Sequence, residues 1–117
     1  VVTKNKNDEI LQIIYFDFDK SELSKTSIET IKTFINKNRN EINEYLIIGH
    51  TDTKGTKEYN KNLSIERAKF VKNLLLEYEI ENSKVKIFGS GEESLAIDTA
   101  DEIKHPANRR VEIKKSN

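Results

Sequence analysis

The chain has 117 residues, 34% of them charged and 35% hydrophobic, and its 20 Lys and Arg balance its 20 Asp and Glu. That length suits one domain with a core of its own, and the zero net charge excludes a general pull toward nucleic acid or anionic lipid. The absence of cysteine excludes disulfides and thiolate metal sites and leaves the redox compartment open.

Residues 1–9 are rich in Lys and Asn and read as a leader or linker, which sets the domain at 10–117. VVTKNKND has no hydrophobic signal region, and the apolar runs YLII and FVKNLLL are too short to cross a bilayer. The expectation is a soluble cytoplasmic protein, or a domain whose signal and anchor have been removed. Ile10 to Phe18 (ILQIIYFDF) reads as a strand. The following helix shows capping-box spacing at Thr26 and Glu29 and a narrow apolar face of Ile28, Ile31 and Ile35. Tyr45 to Ile48 is a short buried strand closed by Gly49, and His50 to Lys57 is a loop that turns at Gly55. A long helix runs from about Glu58 to Glu79, and Val85 to Phe88 is a third strand. Residues 92–107 look irregular, and Arg110 to Lys114 alternates as a last strand. The order βαβαββ implies an α+β fold, one mixed sheet with both helices packed on one face. In such sheets ligands gather at strand ends, where His50, Thr51 and Asp52 lie.

Arg67 is the anomaly. At about 100° per residue, Leu63, Phe70, Val71, Leu74 and Tyr78 all fall within roughly 60° of it, so an arginine sits in the stripe that buries the long helix. A guanidinium there needs a negative partner or loses several kcal/mol of hydration. The loop from Asp52 is long enough to bring that carboxylate level with Arg67. Two readings stay open. One is a structural ion pair. In the other, Asp52 takes a ligand ammonium while Arg67 forks onto its carboxylate, as a zwitterionic amino-acid group requires.

The remaining candidates are weaker. Asp17 and Asp19 in YFDFDKS have the Asp-x-Asp spacing of a Mg²⁺-dependent phosphotransferase, but a second acidic motif is missing and a helix-entry turn explains them as well. His50, Asp52 and His105 lack the fixed spacing of a metal site. No metal, cofactor or enzymatic activity is expected. Arg109 and Arg110 precede a strand whose alternation sends them to opposite faces, so one of them can join an anion site.

Together, YFDFDKSEL, GHTDTKGTKEYNKNLSIERAKFV, FGSGEE and NRRVEI resemble the OmpA-like C-terminal domain family. This is the peptidoglycan-binding module of outer-membrane proteins, peptidoglycan-associated lipoproteins and flagellar stators. The resemblance implies a periplasmic, non-enzymatic domain that holds the meso-diaminopimelate of the stem peptide and ties a membrane protein to the cell wall. Membrane contact would then run only through an absent anchor or barrel, and the oligomeric state is left open. The resemblance assigns Asp52 and Arg67 to the free amino-acid end of the ligand, with Asp19, Thr51, Asn60 and Arg110 as further contributors. The chain departs from the family pattern in SLAIDTADEIKHPANRR, where His105 and Pro106 replace a usual Gly-Arg pair.

Overall fold

The computed structural model describes residues 9–116. The leader expected at 1–9 therefore lies, except for Glu9, outside the described residues. The chain runs β1 (Ile10–Tyr15), α1 (Lys25–Asn38), β2 (Glu44–Gly49), α2 (Lys57–Glu77), β3 (Val85–Gly89) and β4 (Arg110–Ser116). These form one four-stranded sheet in the order β1-β4-β2-β3. The last strand slots between β1 and β2 and is antiparallel to both, whereas β2 and β3 are parallel.

Alternation along the strands sends one set of side chains toward the helices. Ile14, Tyr45, Ile47, Val85, Val111 and Ile113 meet Ile31, Phe34 and Ile35 of α1 and Ala68, Val71, Leu74 and Leu75 of α2 in a single buried cluster. Both helices thus share one face of the sheet. Arg110, Glu112 and Lys114 of β4 alternate with Val111 and Ile113 and face the other side.

Two boundaries differ from expectation for local reasons. β1 ends at Tyr15, not Phe18, because the chain turns through Asp19 at φ 57, a left-handed conformation that no strand accommodates. Ser24, not Thr26, caps α1. Its hydroxyl accepts from the Ser27 amide at 3.2 Å, which places Thr26 and Glu29 inside the helix.

The face of α2 is also rotated. Asn60, Ser64, Arg67, Ala68, Val71, Leu74 and Leu75 are buried, while Leu63, Phe70 and Tyr78 are only half-buried. Small residues on both sides cause this. A methyl group on Gly49 would overlap the Ser64 carbonyl, and one on Gly89 would overlap the Ile65 side chain and the Ser64 hydroxyl. The bare ends of β2 and β3 let the first half of α2 lie directly on the sheet, and that approach carries Arg67 to the strand ends.

Candidate functional site

Two chain segments converge on Arg67. Asp17 and Lys20 belong to the turn after β1, and His50 follows β2. Arg67 Nε donates to the Lys20 carbonyl at 2.8 Å, Nη1 to the His50 carbonyl at 2.9 Å and Nη2 to the Asp17 carbonyl at 3.2 Å. The Phe16 ring lies 5.2 Å from the guanidinium carbon. The side chain is wholly buried. Burial lowers its pKa from 12.5 to about 10, against the stabilising charge of Asp52, so it stays a cation at neutral pH. Three of the five guanidinium N–H groups are committed to carbonyls, which leaves one on each terminal nitrogen for an incoming acceptor.

Asp52 and Arg67 do not form the structural ion pair that one of the two readings expected. Asp52 is buried, and its Oδ1 accepts from the Lys54 amide at 3.2 Å. Its Oδ2 accepts from the His105 amide at 3.1 Å and from Arg109 Nη1 at 3.3 Å. Among the described residues the partner of Asp52 is therefore Arg109, not Arg67. Carbonyl dipoles satisfy the N–H groups of Arg67 without cancelling its charge. Arg67 and Arg109 bring two positive charges to the buried Asp52, and Asp19 at the rim is the further carboxylate whose charge reaches Arg67.

The other expected residues divide into three groups. Asp19 stands at the rim, exposed, and accepts the Tyr59 hydroxyl. Thr51 and Asn60 are buried braces of the loop. The Thr51 hydroxyl donates to the Asp52 carbonyl at 2.9 Å, and the Asn60 amide donates to the carbonyls of Asp52 and Lys54 and to Glu92 Oε1 at 2.9–3.2 Å. Arg110 lies apart, on the opposite sheet face, where it bonds Glu112, Asn108 and Ser94. Its neighbour Arg109, which also donates to the Phe16 carbonyl at 3.0 Å, takes the place by Asp52. The alternation of the two arginines was legible in sequence. Which parity faced Asp52 was not, because that depends on the register between β4 and the turn after β1.

The segment 92–107 is irregular but tied down. Asn108 Oδ1 accepts the Ala96 and Ile97 amides at 2.8 Å, and Thr53 Oγ1 bonds Ala100 and Ile103. His105 caps the short turn Pro106–Asn108 through Nδ1 and presents its amide to Asp52. The residues that replace the expected Gly-Arg pair thus help to hold the central carboxylate.

No group of three or more His, Cys, Asp or Glu able to hold a metal ion occurs among the described residues. Asp17 and Asp19 occupy an exposed turn, and Asp17 contributes its backbone carbonyl to Arg67. Nothing in that geometry supports the phosphotransferase reading.

The fold and site define a small α+β domain with a buried cation and carboxylate at the ends of its strands. The chain belongs to the OmpA family, whose model matches residues 15–109. It is 37% identical over 101 residues to outer membrane porin F of Pseudomonas aeruginosa, covering 85% of this chain and 29% of that protein. It is 31% identical over 101 residues to the peptidoglycan-associated lipoprotein of the same organism, covering 86% of this chain and 60% of that protein. The chain thus spans about a third to three fifths of the length of these two relatives. The crystal structure of the peptidoglycan-associated lipoprotein from Burkholderia pseudomallei superposes with a TM-score of 0.75 at 25% identity, covering 91% of each chain.

Proposed function

We propose that this domain binds peptidoglycan non-covalently, as a periplasmic, non-catalytic anchor that ties a membrane protein to the cell wall. The names of the relatives support the anchoring role: two are peptidoglycan-associated or outer-membrane proteins. The finer proposal is that the ligand is the free amino-acid end of meso-diaminopimelate in the stem peptide. One observation carries it. Arg67 is a buried cation whose bonds within the protein run only to carbonyls, near a buried carboxylate paired with Arg109.

On this reading the ligand carboxylate takes the two free N–H groups of Arg67, and the ligand ammonium replaces Arg109 on Asp52. The Arg109 guanidinium, 3.3 Å from Asp52 Oδ2, on this reading marks the position the ammonium takes. A cavity of about 310 Å³ lined by Tyr15, Phe16, Asp17, Pro106, Ala107 and Arg109 lies alongside the Arg109 side chain. Asp19, held by Tyr59, adds negative charge at the rim where the ammonium enters.

Co-sedimentation with diaminopimelate-type sacculi tests the proposal with Arg67→Lys and Asp52→Asn. Arg67→Lys keeps the charge but cannot fork onto a carboxylate, and Asp52→Asn keeps the shape but not the charge. Each variant is expected to fall to background while its far-ultraviolet circular dichroism stays native. Wild-type sedimentation by either folded variant overturns the assignment.

A further inference from the structure

The sheet face turned away from the helices carries a second polar cluster that the proposed wall-binding site does not use. Arg110, Glu112 and Lys114 project from β4 beside His50 at the end of β2, and all four are more than nine-tenths buried. With Ile48, Phe88, Ser90, Ser94 and Leu95 they line a cavity of about 300 Å³. That is near the lower end of ligand pockets, roughly 300–1,000 Å³.

The charges in it do not balance. Arg110 grips Glu112, with Nε at 2.9 Å and Nη2 at 2.8 Å from Oε2, and its remaining bonds go to the carbonyls of Asn108 and Ser94. That pair is complete. Lys114 Nζ makes a long ion pair with Glu112 Oε1 at 3.8 Å, a carboxylate already held by Arg110. The inner wall is His50, whose Nε2 stands 3.6 Å from Glu112 Oε1 and whose ring nitrogens make no shorter hydrogen bond. Glu112 is thus shared between Arg110, Lys114 and His50, and the cluster holds one cation more than it has anions, an excess that a ligand anion balances. Ile48, Phe88 and Leu95 supply apolar walls beside it.

We propose that this cavity is a second ligand site, which takes a small monoanionic carboxylate with an apolar body, its carboxylate on Lys114 and its body against Ile48, Phe88 and Leu95. The site lies on the opposite sheet face from Arg67 and does not depend on the wall-binding assignment.

Titration of the ¹⁵N-labelled domain with benzoate, followed by amide chemical shifts, tests it, with benzyl alcohol as the neutral analogue of similar shape. Benzoate is expected to shift amides in 46–48, 88–95 and 110–114, and benzyl alcohol to bind at least about tenfold more weakly, the loss of one charged hydrogen bond. Lys114→Gln is expected to lower benzoate affinity by about the same factor and to sediment with sacculi as the wild type does. Equal binding of benzoate and benzyl alcohol overturns the proposal on the wild-type protein alone. So do shifts confined to 17–20, 52 and 67, an absence of saturable shifts, or unchanged affinity in a folded Lys114→Gln variant.

Discussion

Replacing Arg67 with alanine removes far more than a ligand contact. The guanidinium satisfies the carbonyls of Asp17, Lys20 and His50 at once, and it ties the turn after β1 to the end of β2. Each carbonyl left buried without a donor costs about 1–3 kcal/mol. The Asp17 carbonyl keeps the Lys20 amide as a donor at 3.2 Å, so the carbonyls of His50 and Lys20 are the ones stranded, which gives on the order of 2–6 kcal/mol, reduced wherever water reaches the exposed turn at Lys20. A domain of this kind has roughly 5–15 kcal/mol in total, so Arg67→Ala is expected to be partly unfolded or melted at much lower denaturant. Arg67→Lys retains a charge and up to three donors on one nitrogen and is expected to lose less than half as much. Urea unfolding followed by circular dichroism measures both. The carbonyl-clamp argument is refuted if Arg67→Ala loses less than about 1 kcal/mol, a value typical of an ordinary substitution.

The sheet face makes the domain acid-labile. Burial works to raise the Glu112 pKa, but the His50 ring and the Arg110 guanidinium outweigh it and hold it at about 2, while burial lowers that of His50. Both folded-state values lie below the unfolded ones. Stability is therefore full above about pH 6.5, and it falls first as His50 is protonated in the unfolded chain and then between pH 4.5 and about 2 as Glu112 is. A urea midpoint that is flat from pH 7.5 to 3 contradicts this, and His50→Gln is expected to remove the upper part of the slope. Gly49→Ala drives a methyl group into the Ser64 carbonyl and is expected to cost roughly 1–3 kcal/mol or more in the same unfolding assay, whereas a neutral result means α2 can retreat from the sheet. Sacculi with lysine in place of diaminopimelate present an ammonium without the adjoining carboxylate. They are expected to bind at least about tenfold more weakly, and equal retention contradicts the role given to Arg67.

The fold was legible because its periodicities are strong. All four strands and both helices lie where alternation and helical spacing placed them, and their errors are confined to ends governed by single residues such as Asp19 and Ser24. Arg67 stood out in sequence because a charged residue in an apolar stripe demands a partner. Its actual partners were invisible there, because backbone carbonyls leave no trace in residue identity. The same holds for Arg109. Its pairing with Asp52 follows from how the end of β4 meets the turn after β1, a register that residue type does not encode. Asn60 and Ser64 were missed as buried residues because the stripe of α2 was judged by hydrophobicity. Their burial comes from the close approach that Gly49 and Gly89 permit.

The central claim is that the Arg67–Asp52 site recognises a zwitterionic amino-acid end, and free meso-diaminopimelate tests it most directly through the melting temperature. With a dissociation constant on the order of 1 mM, roughly 10 mM ligand stabilises the folded state by about 1.4 kcal/mol. For a domain of this size that is a rise of roughly 4–8 °C. N-ε-acetyl-lysine, which keeps one zwitterionic end, is expected to raise the transition in the same direction, and cadaverine, which has no carboxylate, is expected to leave it where it is. Asp52→Asn is expected to abolish the shift by diaminopimelate. A rise of the same size with cadaverine, or one that persists undiminished in Asp52→Asn, contradicts the account.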